Sequence, residues 1–444
     1  MPEILTLLLF SSTLIVCVVC DFSILYALVA GFFMFFFYGI IKKHKAKDLL
    51  QAAFRSMLTI KNILITFMLI GMITAVWRSG GTIAYIIYHS SRFFSPGIFY
   101  LVAFLLCSLM SVLTGTSFGS AATMGVICMM ISNTLGLSPM ICGGAILSGV
   151  LFGDRCSPMS TSAALVCQVT KSNYYSNIKP MIKTCIVPTI ITCIAYLLLG
   201  MNNASENTGA IELLEVFPEC YNLNIAVLIP AALIIVLALF KVNVKIAMTV
   251  SIVAGIFVTM FFQKLEFAQL LQLLLTGFKA ENETLATLMN GGGLVSMLKT
   301  SAIVCISSSY SGLFRVTGLL DGLRDILIKL SDKISFFGSV TLGSILTSLV
   351  ACNQTLAIML TNQITNNLSE DASEEQKRDF AVILENTVVL IAPLIPWSVA
   401  CATPLNSINA PDSSVFFAVY LYSVPVWNLL MHIIKSRKKA KTVK

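Results

Sequence analysis

The stretch SGVLFGDRCSPMSTSAAL, residues 148–165, decides how the chain folds. It ends the apolar run 139–152 with Asp154 and Arg155, and Pro158 then stops the helix. An acid at membrane depth is costly and is by default a functional group. The competing readings are a structural pair between Asp154 and the adjacent Arg155, or a place at the water interface. Polar, irregular backbone is tolerated inside a bilayer only where protein or a water-filled cavity satisfies it. The stretch therefore predicts membrane helices broken around a polar site.

Composition agrees. Of 444 residues 57% are apolar and 11% charged, with a mean hydropathy of +0.88. A soluble domain carries about 25% charged residues. These values exclude a soluble enzyme, a nucleic-acid-binding domain and a disordered scaffold. The length accommodates roughly 10–12 transmembrane segments of about 20 apolar residues. Thirteen Cys lie scattered with no recurring CxxC pair, which reads as inert thiols rather than disulfides or zinc. His44, His89 and His432 form no metal-ligand spacing, and no GxxxxGK[ST] loop is present. No cofactor is implied, and an enzyme is disfavoured.

Charge gives the orientation. The run 4–20 has Glu3 and no Lys or Arg before it, and reads as a retained helix hinged at Asp21 to the run 22–41. Lys42, Lys43, His44, Lys45, Lys47, Arg55 and Lys61 mark a cytoplasmic stretch, with 48–57 as a short interfacial amphipathic helix. Residues 201–221 hold Glu206, Glu212, Glu215 and Glu219 without Lys or Arg, and face outside. The basic tail 435–444 returns inside, so both termini are cytoplasmic. Residues 264–293 read as a mixed loop.

An internal repeat accompanies this layout. AVWRSGGTIAYII (75–87) is similar to GLFRVTGLLDGLR (312–324), and LMSVLTGTSFG (109–119) to LTSLVACNQTL (346–356). One offset, 237, relates Arg78 to Arg315 and Gly115 to Cys352. The chain divides into a half at 1–205, an acidic external linker at 206–221, a half at 222–434 and the tail at 435–444. The fold class is an all-α polytopic membrane protein, an inverted-repeat secondary transporter with broken helices. Arg78 and Arg315 each follow an aromatic residue and read as snorkelling cations.

Three further polar interruptions join Asp154. GTSFGSAATMG (115–125) supplies Thr116 and Ser117, and glycines there permit unwinding; small-residue helix packing is the competing reading. Its repeat mate, Asn353-Gln354-Thr355, is too polar for packing alone. Glu385-Asn386-Thr387 precedes Pro393 and Pro396, and the competing reading is an ordinary acidic helix start.

GTSFGSAATMG, SGVLFGDRCSPMS (148–160) and LENTVVLIAPLIPWS (384–398) resemble, in order and spacing over most of the chain, the NhaC-type Na+/H+ antiporter family of the ion transporter superfamily. The resemblance implies alternating access, with sodium and protons exchanged at a central acidic site. It also admits exchangers of amino or organic acids. The chain departs from the family's pattern at Thr161 and Asn386, where acids are usual.

On this reading Asp154 and Glu385 carry the exchanged proton, supported by Thr116, Ser117, Ser157, Asn353, Asn386 and Thr387. Sodium would sit at Asp154, Ser157 and Asn386. The partners are Na+ and H+ or a small organic solute, and the lipid bilayer of the cell membrane, with no nucleic acid; a homodimer is compatible with the pattern. The alternative cargo is an amino acid or small organic acid coupled to Na+ or H+.

Overall fold

A computed structural model describes residues 2–20, 22–90, 95–157, 160–203, 216–240, 242–280, 282, 285–286, 289–319, 335–351, 353–366, 369 and 372–442. The Asp21 hinge, Pro158, Cys352, most of the 206–221 linker, the charged segment from 320 to 333 and the end of the basic tail lie outside the described residues. Among the described residues the chain is helical, and the single bridge Phe278–Gly291 is the only extended pairing.

By length and apolar composition, Lys61–Ser79, Pro96–Thr114, Tyr174–Asn202 and Lys245–Phe262 are able to cross a bilayer. Glu374–Leu394 and Val399–Ser407 together are long and apolar enough for a fifth, and they meet at a 59° bend, the form of a broken span or a re-entrant loop. Seven further apolar helices have 10–17 residues. Breaks explain the short pieces. The helix Phe99–Thr114 ends on Gly115 at φ 67°, a left-handed position that glycine fills without strain. Thr116 is then extended (φ −140°, ψ 128°), and its side chain accepts from the Gly119 amide at 3.1 Å to start the next helix, Ser117–Ser120.

The second half repeats these events at the same offset. Lys61–Ser79 and Leu298–Thr317 begin 237 residues apart, and Phe99–Thr114 and Phe336–Ala351 match at both ends. Asn353 is extended (φ −146°, ψ 147°) and caps Gln354–Thr365 through the Leu356 amide at 2.8 Å. Gly81 and Gly318, also 237 apart, both have positive φ.

Packing exchanges elements between the two parts. Ile24–Ile41 and Ala46–Thr59 lie on Leu298–Thr317, whereas Val244–Phe262 and Phe267–Thr276 lie on Lys61–Ser79. Ser308 Oγ donates to Ser56 O at 3.0 Å on one side, and Trp77 Nε1 to Ser251 Oγ at 3.0 Å on the other. The expected amphipathic helix is found at Ala46–Thr59, with Leu49, Ala53 and Ser56 buried against protein and Leu50, Phe54 and Leu58 exposed. One reading from the sequence is corrected here. The loop expected at 264–293 contains the helix Phe267–Thr276, begun by a capping box from Glu266 and Gln269.

A close helix crossing positions the site. A Cβ at Gly149 would come within 2.6 Å of Phe104 O, and one at Gly153 would collide with the Ser111–Val112 backbone. Small residues let Pro139–Cys156 and Phe99–Thr114 touch main chain to main chain. That contact brings Asp154, the next residue, beside the break at Gly115.

Candidate functional site

A cavity of about 1080 Å³ opens among these breaks. Thr114, Thr116, Ser117, Asp154, Thr161, Ser162, Asn353 and Gln354 line it, together with Asp48, Arg55, Asn62, Lys245 and Arg315. The lining thus takes residues from both helix breaks, and of the predicted site residues it includes Asp154, Thr116, Ser117 and Asn353.

Asp154 is 3% exposed and is held by hydroxyls. Ser160 donates to Oδ1 at 3.1 Å and Ser117 to Oδ2 at 3.5 Å, while Ser162 donates to the Asp154 carbonyl at 3.2 Å. Ser160 does double duty, since its Oγ also accepts from the Ala163 amide and caps Thr161–Thr170. This oxygen-rich setting suits a small hard cation as cargo, because hydroxyls that donate to a carboxylate can turn their lone pairs to a metal. Among the described residues no cluster of three or more His, Cys, Asp or Glu holds a metal.

Arg155 turns the other way. Successive helical residues point about 100° apart, so Asp154 and Arg155 do not pair. Arg155 is fully buried. Its guanidinium donates to the Glu385 carbonyl (3.2 Å), the Met181 carbonyl (3.1 Å), Thr184 Oγ1 (2.9 Å), the Tyr420 hydroxyl (3.4 Å) and Asn386 Oδ1. It ties the end of Pro139–Cys156 to the end of Glu374–Asn386, and both to Tyr174–Asn203.

The other predicted residues are placed away from the cavity wall. Asn386 Oδ1 is engaged by Arg155 and by Thr184 at 3.3 Å. Ser157 Oγ donates to Val112 O at 2.7 Å, and its carbonyl accepts from the Tyr174 hydroxyl. The set Asp154, Ser157 and Asn386 is therefore not brought together around one point of the cavity. Ser160 and Ser162 occupy the place given to Ser157, because Ser157 is extended after the helix end and only the next helix start folds back on Asp154. Ser160 carried a readable signal as the N-cap of Thr161–Thr170. Thr387 Oγ1 donates to Ile383 O at 2.8 Å where Glu374–Asn386 breaks. Glu385 is 1% exposed, and neither carboxylate oxygen has a hydrogen-bond partner among the described residues. Arg78 donates to Asn290 O and packs on Gly291, and Arg315 is exposed and lines the cavity.

Broken apolar helices that enclose a hydroxyl-bound carboxylate at the base of a wide cavity define a membrane carrier. The chain belongs to the Na+/H+ antiporter family, whose profile matches residues 2–166 and 149–431. It is 28% identical to the malate-2H(+)/Na(+)-lactate antiporter of Bacillus subtilis, over 85% of this chain and 82% of that one. It is also 28% identical to the Na(+)/H(+) antiporter NhaC of Alkalihalophilus pseudofirmus, over 82% and 79%. The arginine/ornithine antiporter ArcD of Halobacterium salinarum is 25% identical, over 77% and 72%. The chain is a multi-pass secondary transporter of the Na+/H+ antiporter type.

Proposed function

We propose that Asp154 is the exchange site, binding Na+ and a proton in turn as the carrier alternates between two openings. The observation that carries this is the position of Asp154, at the wall of the cavity with Ser117 and Ser160 on its two oxygens. Competition supplies the coupling. A bound cation favours the ionised carboxylate and burial favours the protonated one, so one group holds either cargo and not both. Ser117, Ser160 and Thr116 complete the sodium shell, with Asn353 opposite.

Glu385 serves as a second acid, reached when the helices around the Thr387 break rearrange. Asn386 and Thr387 support that break, and Arg155 holds it against the Asp154 helix. The halves 1–205 and 222–434 are inverted copies, which is supported by helix ends that recur at 237 residues. Both termini and the basic stretch 42–61 are cytoplasmic, and so is the opening of the cavity, which Arg55 and Lys245 line.

The test uses inside-out vesicles and a pH-sensitive dye, with Na+, Li+ or K+ added in turn. A cation-dependent proton flux that is absent from Asp154→Asn establishes antiport at this residue. Equal flux in the variant overturns the assignment.

A further inference from the structure

Asp154 meets the cavity near one end of Pro139–Cys156. Toward the other end, about 16 Å back along the helix axis, the same helix is sealed against the second half of the chain. A Cβ at Gly143 would come within 2.4 Å of Ser414 Oγ and 2.8 Å of Ala410 Cβ, and one at Gly144 within 2.6 Å of the Phe417 backbone. A Cβ at Gly125 would meet Ile146 at 3.0 Å and Ile408 at 3.1 Å.

Close glycine packing alone is ordinary for membrane helices. The hydroxyls beside it are not. Buried hydroxyls in these helices satisfy themselves on a carbonyl one turn back, as Thr74, Ser108, Thr123 and Thr134 do. Thr403 and Ser414 are 1% and 0% exposed, and neither hydroxyl has a hydrogen-bond partner among the described residues. Ser132 shares that state, with the Cys142 thiol beside it, whereas Ser348, the remaining Ser or Thr of this kind, lies away on Phe336–Ala351. A buried hydroxyl without a partner costs about 1–3 kcal/mol, which an arrangement that lets water or cargo reach it recovers.

Thr403 also continues the cavity. Val399 and Ala400 line it, and Thr403 lies one turn beyond Ala400 on the same face of Val399–Ser407. The elements on both sides of the seam carry a joint. A π turn, Ala121–Gly125, interrupts the helical run that begins at Ser117, and Val399–Ser407 leaves Glu374–Leu394 at the 59° bend.

We propose that this seam is the second opening of the carrier, closed in the present structure. The 399–417 segment parts from Gly125, Gly143 and Gly144, and Thr403 and Ser414 then line the way for a hydrated cation between Asp154 and the membrane face opposite the cavity. The proposal rests on the exchange reading for what passes there. Where it passes is testable without that reading.

The experiment adds a membrane-impermeant maleimide to one face at a time of sealed vesicles that hold the full chain. Each labelled site is read by mass spectrometry, so the native cysteines stay in place. Arg55→Cys marks the face on which the cavity opens. Thr403→Cys and Ser414→Cys are expected to label from the opposite face. Gly143→Ala, which wedges the seam at Ser414, is expected to speed the labelling of Thr403→Cys by about fivefold or more without any gradient. Ser414→Cys under an imposed sodium gradient decides the matter if the Gly143→Ala pair does not fold. Labelling from the Arg55→Cys face alone overturns the proposal. So does the absence of labelling from the opposite face with both wedge and gradient, which assigns the hydroxyls to fixed internal water. Normal cation-driven flux in Asp154→Asn, with labelling from the opposite face retained, sinks the exchange reading and leaves the second opening standing.

Discussion

Asp154 and Glu385 occupy matching places, each in the last turns of a helix that ends in a break, yet their surroundings are opposite. Asp154 faces the cavity and receives Ser117 and Ser160 on its oxygens. Glu385 is walled off from it, and its oxygens have no partner among the described residues. The proposed exchange role of Asp154 turns on that difference, because both acids are equally buried. Exchange needs an acid that cargo can reach and that has oxygens nearby to share the cargo.

The sharpest test of that contrast is Asp154→Asn. The amide keeps the shape and one serine donor, with the other serine turned to accept from its NH2, but holds neither the exchanged proton nor the metal's counter-charge. Cation-driven proton flux should fall by roughly a hundredfold or more, about 3 kcal/mol in the rate-limiting barrier. Unfolding in detergent should stay near wild type, and a large loss of stability together with flux would show a structural role instead.

The link between the two acids is next. Arg155 spans from the Asp154 helix to Glu385 and Asn386. Arg155→Met removes the donors to the Glu385 and Met181 carbonyls, Thr184, Tyr420 and Asn386 and should destabilise the protein by about 3 kcal/mol. Asn386→Leu should cost less alone, and the two losses should be strongly non-additive, because they share one bond. Additive losses in a double-mutant cycle would show that the clamp does not couple these helices.

Glu385→Gln has a smaller predicted effect and the opposite sign for stability. An unpartnered carboxylate is expensive to bury, and the amide removes a charge at the same volume. Thermal stability should rise by about 1 kcal/mol, and flux should fall by less than tenfold. A loss of flux as complete as that of Asp154→Asn would break the contrast and make both acids equal members of one site.

Much of this was legible in the sequence. The helix breaks follow from Gly115, Thr116 and Asn353, and the depth of Asp154 follows from the apolar run before it. What stayed hidden was direction. Asp154 and Arg155 are neighbours in sequence and look like a pair, but the helix turns them onto different faces. Asn386 looked like a sodium ligand because its type suits one, and only the fold shows Arg155 on its oxygen. Ser157 is nearer to Asp154 in sequence than Ser160 is, but the chain must first leave the helix and turn back before a hydroxyl meets the carboxylate. Period and composition report which residues are buried; which of them meet is set by tertiary packing.

The smallest predicted effect compares the two breaks themselves. Thr116 and Asn353 do the same local work, each accepting from the amide three residues on, so Thr116→Ala and Asn353→Ala should each cost about 1 kcal/mol of stability. Their effects on transport should differ. Thr116 fixes the turn that presents Ser117 to Asp154, and its loss should raise the sodium concentration for half-maximal flux by about threefold, a shift of under 1 kcal/mol. Among the described residues Asn353 makes no hydrogen bond to Asp154 and only shares the cavity lining with it, so its loss should leave that concentration within about twofold, a smaller shift still. Dye-monitored sodium titrations of the two variants in the same liposomes measure the ratio directly. Equal shifts would mean that both breaks grip the cation together, and the asymmetry between the two halves would then lie in their acids and not in their helix ends.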